Sequence, residues 1–287
     1  MSISSVDQPS GLERSGMLPT ARVLTIAGSD SGGGAGIQAD LRTMAAYGVH
    51  GMSVIASVTV QNSLGVQGFH QIPLDVIEAQ FRAVVDDIGV DAIKTGMLGD
   101  AVTIDLVANL LADVDVPVVI DPVCASKHGD PLILEDARSH IVTELAQRAT
   151  VITPNLGEAA LLSGLDMDAD PADLAAPLLA AGAEWVLVKG GHAEGPPTDH
   201  LIGPGGRHSC TGERHDNRHT HGTGCTLAAA IASLLGLDHA TNGTPDVPRA
   251  VERANAYVNG AIKNGFALGS GIGPVDHLWR VREHLLD

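Results

Sequence analysis

Arg22-Val-Leu-Thr-Ile-Ala-Gly-Ser-Asp-Ser-Gly-Gly-Gly-Ala-Gly36 begins as an apolar run and ends with five glycines between positions 28 and 36. Such a run passing into a glycine-rich turn reads as a buried strand followed by a helix, here over about 35–47. A tight strand-to-helix turn needs only one or two glycines. Five of them, with Asp30 and Asp40 close by, point to backbone that approaches a ligand. Asp40 alone reads equally well as an exposed residue one turn into the helix.

The same rhythm repeats outward from this stretch. Strand-like runs fall at 52–60, 91–95, 117–121, 149–153 and 184–190, with helix-like stretches at about 74–87, 100–112, 135–148, 155–163 and 171–181. Continuous apolar strands alternating with helices predict an α/β fold with a mostly parallel sheet covered on both faces. Residues 197–222 break the pattern. They are polar and rich in Gly and His, and they read as a hairpin and a loop leading into a long helix from near Thr223. A last helix, about 247–266, precedes Gly269-Ser-Gly-Ile-Gly273. Residues 1–20 read as a disordered tail. Nothing in 21–287 resembles a linker, so that stretch reads as one domain.

Hydrophobic residues make up 44% of the 287 and aromatics only 2%, so Ala, Val, Ile and Leu must build the core. A net charge of -17 argues against nucleic-acid binding, which needs a basic footprint. Anionic ligands would have to be held locally, by helix N-termini, glycine nests and single lysines. The lysines number four: Lys94, Lys127, Lys189 and Lys263. Three cysteines (Cys124, Cys210, Cys225) without CxxC spacing suit a reducing compartment. No apolar run suits a membrane span and no signal peptide is evident, so the chain reads as cytoplasmic.

The familiar GxxxxGK[ST], HExxH and GxSxG signatures are absent, so any phosphate must be held in another way. In Thr220-His-Gly-Thr-Gly-Cys-Thr226, Gly222 and Gly224 let backbone amides approach an anion, and the helix that follows turns its positive end toward them. A plain glycine-rich helix start competes evenly with this reading. In Thr153-Pro-Asn-Leu-Gly-Glu158, Asn155 and Glu158 have the spacing of a capping box, which needs no function. They also suit Mg²⁺, as does Asp121 at the end of its strand. Lys189 ends a buried run before two glycines, where a lysine is costly unless it meets an anion. His208, His215, His219 and His221 match no standard zinc spacing and read as a mobile polar loop.

Taken together and in this order, these motifs resemble the hydroxymethylpyrimidine/phosphomethylpyrimidine kinases. The most specific pieces are Ala27–Leu41, Thr59-Val-Gln-Asn62, Lys94-Thr-Gly-Met-Leu98, Asp121-Pro-Val, Thr153–Glu158, Lys189-Gly-Gly-His192 and His221-Gly-Thr-Gly-Cys225. The resemblance implies a ribokinase-like, three-layer αβα sandwich, a homodimer, and ATP with Mg²⁺. It also implies transfer of phosphate to hydroxymethylpyrimidine and then to its monophosphate, for thiamine biosynthesis. By that likeness Gly28, Asp40, Gln61, Met97 and Val123 would surround the pyrimidine. Asp121, Asn155 and Glu158 would hold Mg²⁺, Lys189 and Gly271 would lie along ATP, and Gly222, Thr223 and Gly224 would form the anion hole. Many members of the wider superfamily place an aspartate base where this chain has Cys225. A thiol at a helix N-terminus can have its pKa lowered toward neutrality, so a Cys225 thiolate could accept the hydroxyl proton. Loose phosphoryl transfer makes a strong base dispensable in any case. The competing readings are a pyridoxal kinase and a non-catalytic pyrimidine sensor, with a sugar kinase behind both.

Overall fold

The computed structural model describes residues 20–124, 133, 137–191 and 195–282. Residues 1–19 of the expected N-terminal tail, Lys127 and His192 lie outside the described residues. Nine strands form one sheet in the order β3-β2-β1-β4-β5-β6-β7-β8-β9. The central six are β1 (Arg22–Gly28), β2 (His50–Asn62), β4 (Ala92–Thr95), β5 (Val118–Ile120), β6 (Val151–Ile152) and β7 (Trp185–Val188), and all run parallel. At one edge β3 (Gly65–Gln71) returns antiparallel to β2. At the other, β8 (Thr198–Gly203) and β9 (Gly206–Thr211) form the expected hairpin.

Alternation along the strands sends side chains into two cores, one on each face. Leu24, Ile26, Ile120, Ile152, Val186 and Val188 face one of them. That core is closed by α2 (Leu74–Val85), α3 (Ala101–Leu111), α4 (Ala137–His140), α5 (Leu156–Ser163) and α6 (Pro171–Ala180). Val23, Val119, Val151 and Leu187 face the other, under α1 (Gly36–Ala46), α7 (Thr223–Asn242) and α8 (Val247–Lys263). The result is the three-layer αβα sandwich implied by the resemblance. Few aromatics are needed because α7 supplies a run of buried Ala and Leu from Leu227 to Leu235. A helix apolar on all sides belongs in the interior. Gly236 lets it approach the sheet closely: a Cβ there would lie 3.1 Å from Val23.

Two elements depart from expectation. Strand β3 falls where no element is expected, because Gly65-Val-Gln-Gly-Phe-His-Gln71 has neither an apolar run nor a clear alternation and lies at an edge. The helix expected over 135–148 is α-helical only at Ala137–His140. It widens into a π turn over Ile141–Leu145 and tightens to 3₁₀ over Ala146–Arg148.

Candidate active site

The parallel strands β1, β4, β5, β6 and β7 all end on one side of the sheet, where their following loops meet the start of α7. The cleft between them encloses about 550 Å³. Ligands collect at this end of open α/β sheets because loops and helix N-termini converge there.

The anion cradle is built by close backbone contact. Gly222 is the N-cap of α7 with φ 84°, and a Cβ on it would lie 1.8 Å from the Gly34 carbonyl oxygen. Only glycine fits here. The contact locks the α7 start against the glycine turn of β1. Among the described residues no side chain caps α7, so its first amides face the cleft. A Cβ on Gly224 would sit 3.4 Å from both Asp121 Oδ2 and Lys189 Nζ, which puts carboxylate, ammonium and cradle side by side.

Lys189 Nζ donates to Asp121 Oδ1 at 3.1 Å. Burial works against the Lys189 charge, but Asp121 and Glu158 outweigh it and hold the ammonium above its usual range. Asn155 and Glu158 form the capping box of α5. Glu158 N–H donates to Asn155 Oδ1 at 3.0 Å, and Asn155 N–H to Glu158 Oε2 at 2.8 Å. Glu158 Oε1 also accepts from the Cys124 amide at 3.2 Å. Burial raises the Glu158 carboxyl, Lys189 lowers it and Asp121 raises it, with a net upward shift. One lysine thus answers two buried carboxylates. The surplus negative charge, offered by hard oxygen donors, fits a divalent cation such as Mg²⁺.

Gly28, Gln61, Met97 and Val123 line the other half of the cleft. A Cβ on Gly28 would meet Ser57 Oγ at 2.6 Å, so the ligand side of this wall stays flat. Val123 has φ 26°, a costly conformation for a β-branched residue and one that clusters at functional sites.

Two residues expected at the ligand are placed elsewhere. Asp40 does not line the cleft. It is fully buried behind the wall, 2.8 Å from Lys94 Nζ and 2.6 Å from the Thr25 hydroxyl that donates to it. Its role in the wall is to answer Lys94, itself fully buried and held above its usual range by Asp40 despite desolvation. Gly271 also lies outside the cleft lining. Its amide donates to Ser63 Oγ at 3.1 Å, and it packs on the β2–β3 turn.

Cys225 lines the cleft beside the cradle, but its expected ionisation is reversed. Burial pushes the thiol up to about 11, and the nearby Lys94 ammonium only partly offsets this. The helix terminus does not prevail against burial, to which the Asp40 and Asp121 carboxylates add.

The histidines do not gather. His208 packs at a tilt against Trp185, His215 contacts Asn259 Oδ1 at 2.8 Å, and His219 accepts from the Gly273 amide at 3.0 Å. His221 is buried, with Nε2 at 3.0 Å from Asp30 Oδ2. Sequence reasoning also passed over Asp199, Asn255 and Asn259, which line the cleft beyond Lys189. Asp199 accepts from Gly190 N–H at 2.9 Å and from Asn255 Nδ2 at 2.7 Å. The only signal for the two asparagines was their i, i+4 spacing on the last helix.

The Phosphomethylpyrimidine kinase family model matches residues 30–276. The hydroxymethylpyrimidine/phosphomethylpyrimidine kinase of Streptomyces coelicolor is 54% identical over 264 residues, covering 91% of this chain and 96% of that one. Among solved structures, the pyridoxal kinase of Staphylococcus aureus in complex with AMP-PCP and pyridoxal superposes with a TM-score of 0.82. It is 33% identical and covers 92% of this chain and 96% of its own. The phosphomethylpyrimidine kinase of Clostridium difficile superposes with a TM-score of 0.73 at 35% identity, covering 85% of this chain and 100% of its own.

Proposed function

Because the chain belongs to the phosphomethylpyrimidine kinase family, we propose that this cleft transfers phosphate from ATP to hydroxymethylpyrimidine and then to its monophosphate. The observation that carries this reading is the junction of Gly224, Asp121 and Lys189, where an anion cradle, a carboxylate and an ammonium meet within one cleft. It is a kinase of thiamine biosynthesis.

The residues divide by task. The amides at the start of α7, around Gly222, Thr223 and Gly224, receive the charge that develops on the transferred phosphoryl group. Lys189 pairs with phosphate oxygens once ATP enters, and the Asp121 carboxylate it then releases becomes free to bind a cation. Asp121 and Glu158, with Asn155 beside them, would hold Mg²⁺ directly or through water. When bound, Mg²⁺ neutralises phosphate charge. Gly28, Gln61, Met97 and Val123 would position the pyrimidine, with Gln61 as its polar contact. Cys225, a neutral thiol, packs beside the reacting hydroxyl rather than deprotonating it, which loose phosphoryl transfer permits.

Pyridoxal is the second reading, favoured by the likeness to a kinase solved with pyridoxal bound. We read the assembly as a homodimer in the cytoplasm. Val58, Val60, Leu64 and Phe69 stand exposed around the β2–β3 hairpin, where a second copy would cover them. No helix among the described residues is long and apolar enough to cross a membrane.

The test is ADP release by the purified protein with Mg-ATP, offering hydroxymethylpyrimidine, its monophosphate and pyridoxal separately. Turnover of the first two, abolished by EDTA, is the expected result. Turnover of pyridoxal alone would replace this reading with the second.

A further inference from the structure

Asp30, His221 and Gln61 form a polar chain along the pyrimidine half of the cleft, and of the three only Gln61 has been given a role so far. Asp30 Oδ2 accepts from the Gly34 and Ala35 amides at 2.9 and 2.8 Å, and it lies 3.0 Å from His221 Nε2. Burial would raise the Asp30 carboxyl, but His221 and the amides of Ala35 and Gly32 outweigh it and hold it below the usual range. A carboxylate has no proton to give, so the hydrogen in the Asp30–His221 contact sits on His221 Nε2. That holds for both the neutral ring and the imidazolium.

Gln61 meets the same nitrogen. With its amide nitrogen toward His221, the Gln61 Nε2 to His221 Nε2 distance is 3.2 Å, an N–H facing an N–H. Turned by half a rotation, the amide oxygen accepts from His221. The amide nitrogen then takes the position 3.3 Å from Thr59 Oγ1. Thr59 has already committed its own hydrogen to the Ser29 carbonyl at 2.8 Å, so it can only accept. The single Nε2 hydrogen is then shared between Asp30 and the Gln61 oxygen, no N–H faces another N–H, and the orientation of an amide is assigned by such partners.

We propose that His221, anchored by Asp30, is a positioning residue that fixes the polarity of the Gln61 amide, with its oxygen on the His221 side and its N–H on the Thr59 side. The cleft then selects a heteroaromatic ring that sets an acceptor nitrogen on the Thr59 side, beside an exocyclic N–H donor on the His221 side. A 4-aminopyrimidine has that order, and its 4-oxo counterpart has it reversed. Because the hydroxymethyl group must point at the cradle, the 4-oxo ring cannot turn over to compensate. This inference rests on the proposed pyrimidine pocket.

The experiment measures dissociation constants of 4-amino-5-hydroxymethyl-2-methylpyrimidine and its 4-oxo counterpart on the wild type, His221→Gln and His221→Leu. A glutamine can offer Asp30 an N–H from the position of the imidazole Nε2. The wild type should prefer the amino compound by about 100-fold, as expected when a reversed pair leaves buried polar groups unmatched. His221→Gln should keep the preference, and His221→Leu should reduce it by about tenfold or more, because the freed amide can turn to suit either ring. A preference unchanged in folded His221→Leu overturns the inference. Nitrogen-15 NMR of the wild type tests the same point without a variant. It should find the His221 proton on Nε2, and a bare Nε2 with the proton on Nδ1 overturns the inference. Failure of the wild type to bind the amino compound at all would overturn the pyrimidine pocket, and this inference with it.

Discussion

Cys225 stands where a stronger base would be expected, and its environment keeps the proton on sulfur. With burial pushing the thiol up to about 11, the neutral form dominates at pH 7. Alkylation of Cys225, followed on its peptide by mass, should rise steadily from pH 7 to 10. A plateau near neutrality would show a thiolate after all. Cys225→Ala should slow both phosphorylations alike and by about tenfold or less, since loss of a general base costs more than that. Asp40 and Lys94 make a second residue-level case. Both are fully buried, so Lys94→Met leaves an unanswered carboxylate and should cost about 3–5 kcal/mol in urea denaturation. The double variant with Asp40→Leu should recover much of that loss. Gly222, Gly224, Asp121 and Lys189 were legible in sequence because each closes a short local motif. The Asp30–His221 contact was not, because it joins residues 191 apart. Nor was the state of Cys225, which depends on burial and on neighbours from other strands.

Helix α7 links the two cores to the chemistry. Its buried alanines seat it on the sheet, and its glycine start opens the cradle. Gly222→Ala would place a methyl against the Gly34 carbonyl at φ 84°, forcing apart two loops that shape the site. Turnover should fall by about 10²–10³-fold, as for loss of an oxyanion donor, with a measurable loss of stability. Gly224→Ala meets only ordinary contacts at 3.4 Å, so it should fold with stability within about 1 kcal/mol of wild type. Its methyl would stand against Asp121 and Lys189 on the cleft side of the cradle, and turnover should still drop. Steady-state kinetics beside urea titrations separate the two, and full activity in Gly222→Ala would contradict the cradle. The strands that carry these loops were legible as apolar runs bounded by turns. Strand β3 was not, because an exposed edge strand needs no apolar pattern, and Gly68 further weakens its signal.

The molecule as a whole places every ligand loop at one end of a sheet buried on both faces. That arrangement followed from alternating apolar runs and helices, whereas depth within the cleft did not, because it depends on which loop lies over which. Stability of the whole fold also carries a proton term from His277, buried under the turn of β1 near Arg42. Burial first, and Arg42 second, push this imidazole down to about 4. Above about pH 6.5 it is neutral both folded and unfolded. As pH falls from there toward 4, the unfolded chain takes up a proton that the fold refuses, so stability is lost across that window. The loss attributable to this group is about 3 kcal/mol, and His277→Asn should flatten the urea midpoint against pH by that amount. One cleft phosphorylates an alcohol and then the phosphate it has just made. The most direct measurement is a phosphorus-31 NMR time course of the protein with Mg-ATP and hydroxymethylpyrimidine, with products identified by mass. A monophosphate that rises and then gives way to the diphosphate is the expected result. Consumption of ATP without either product would contradict it.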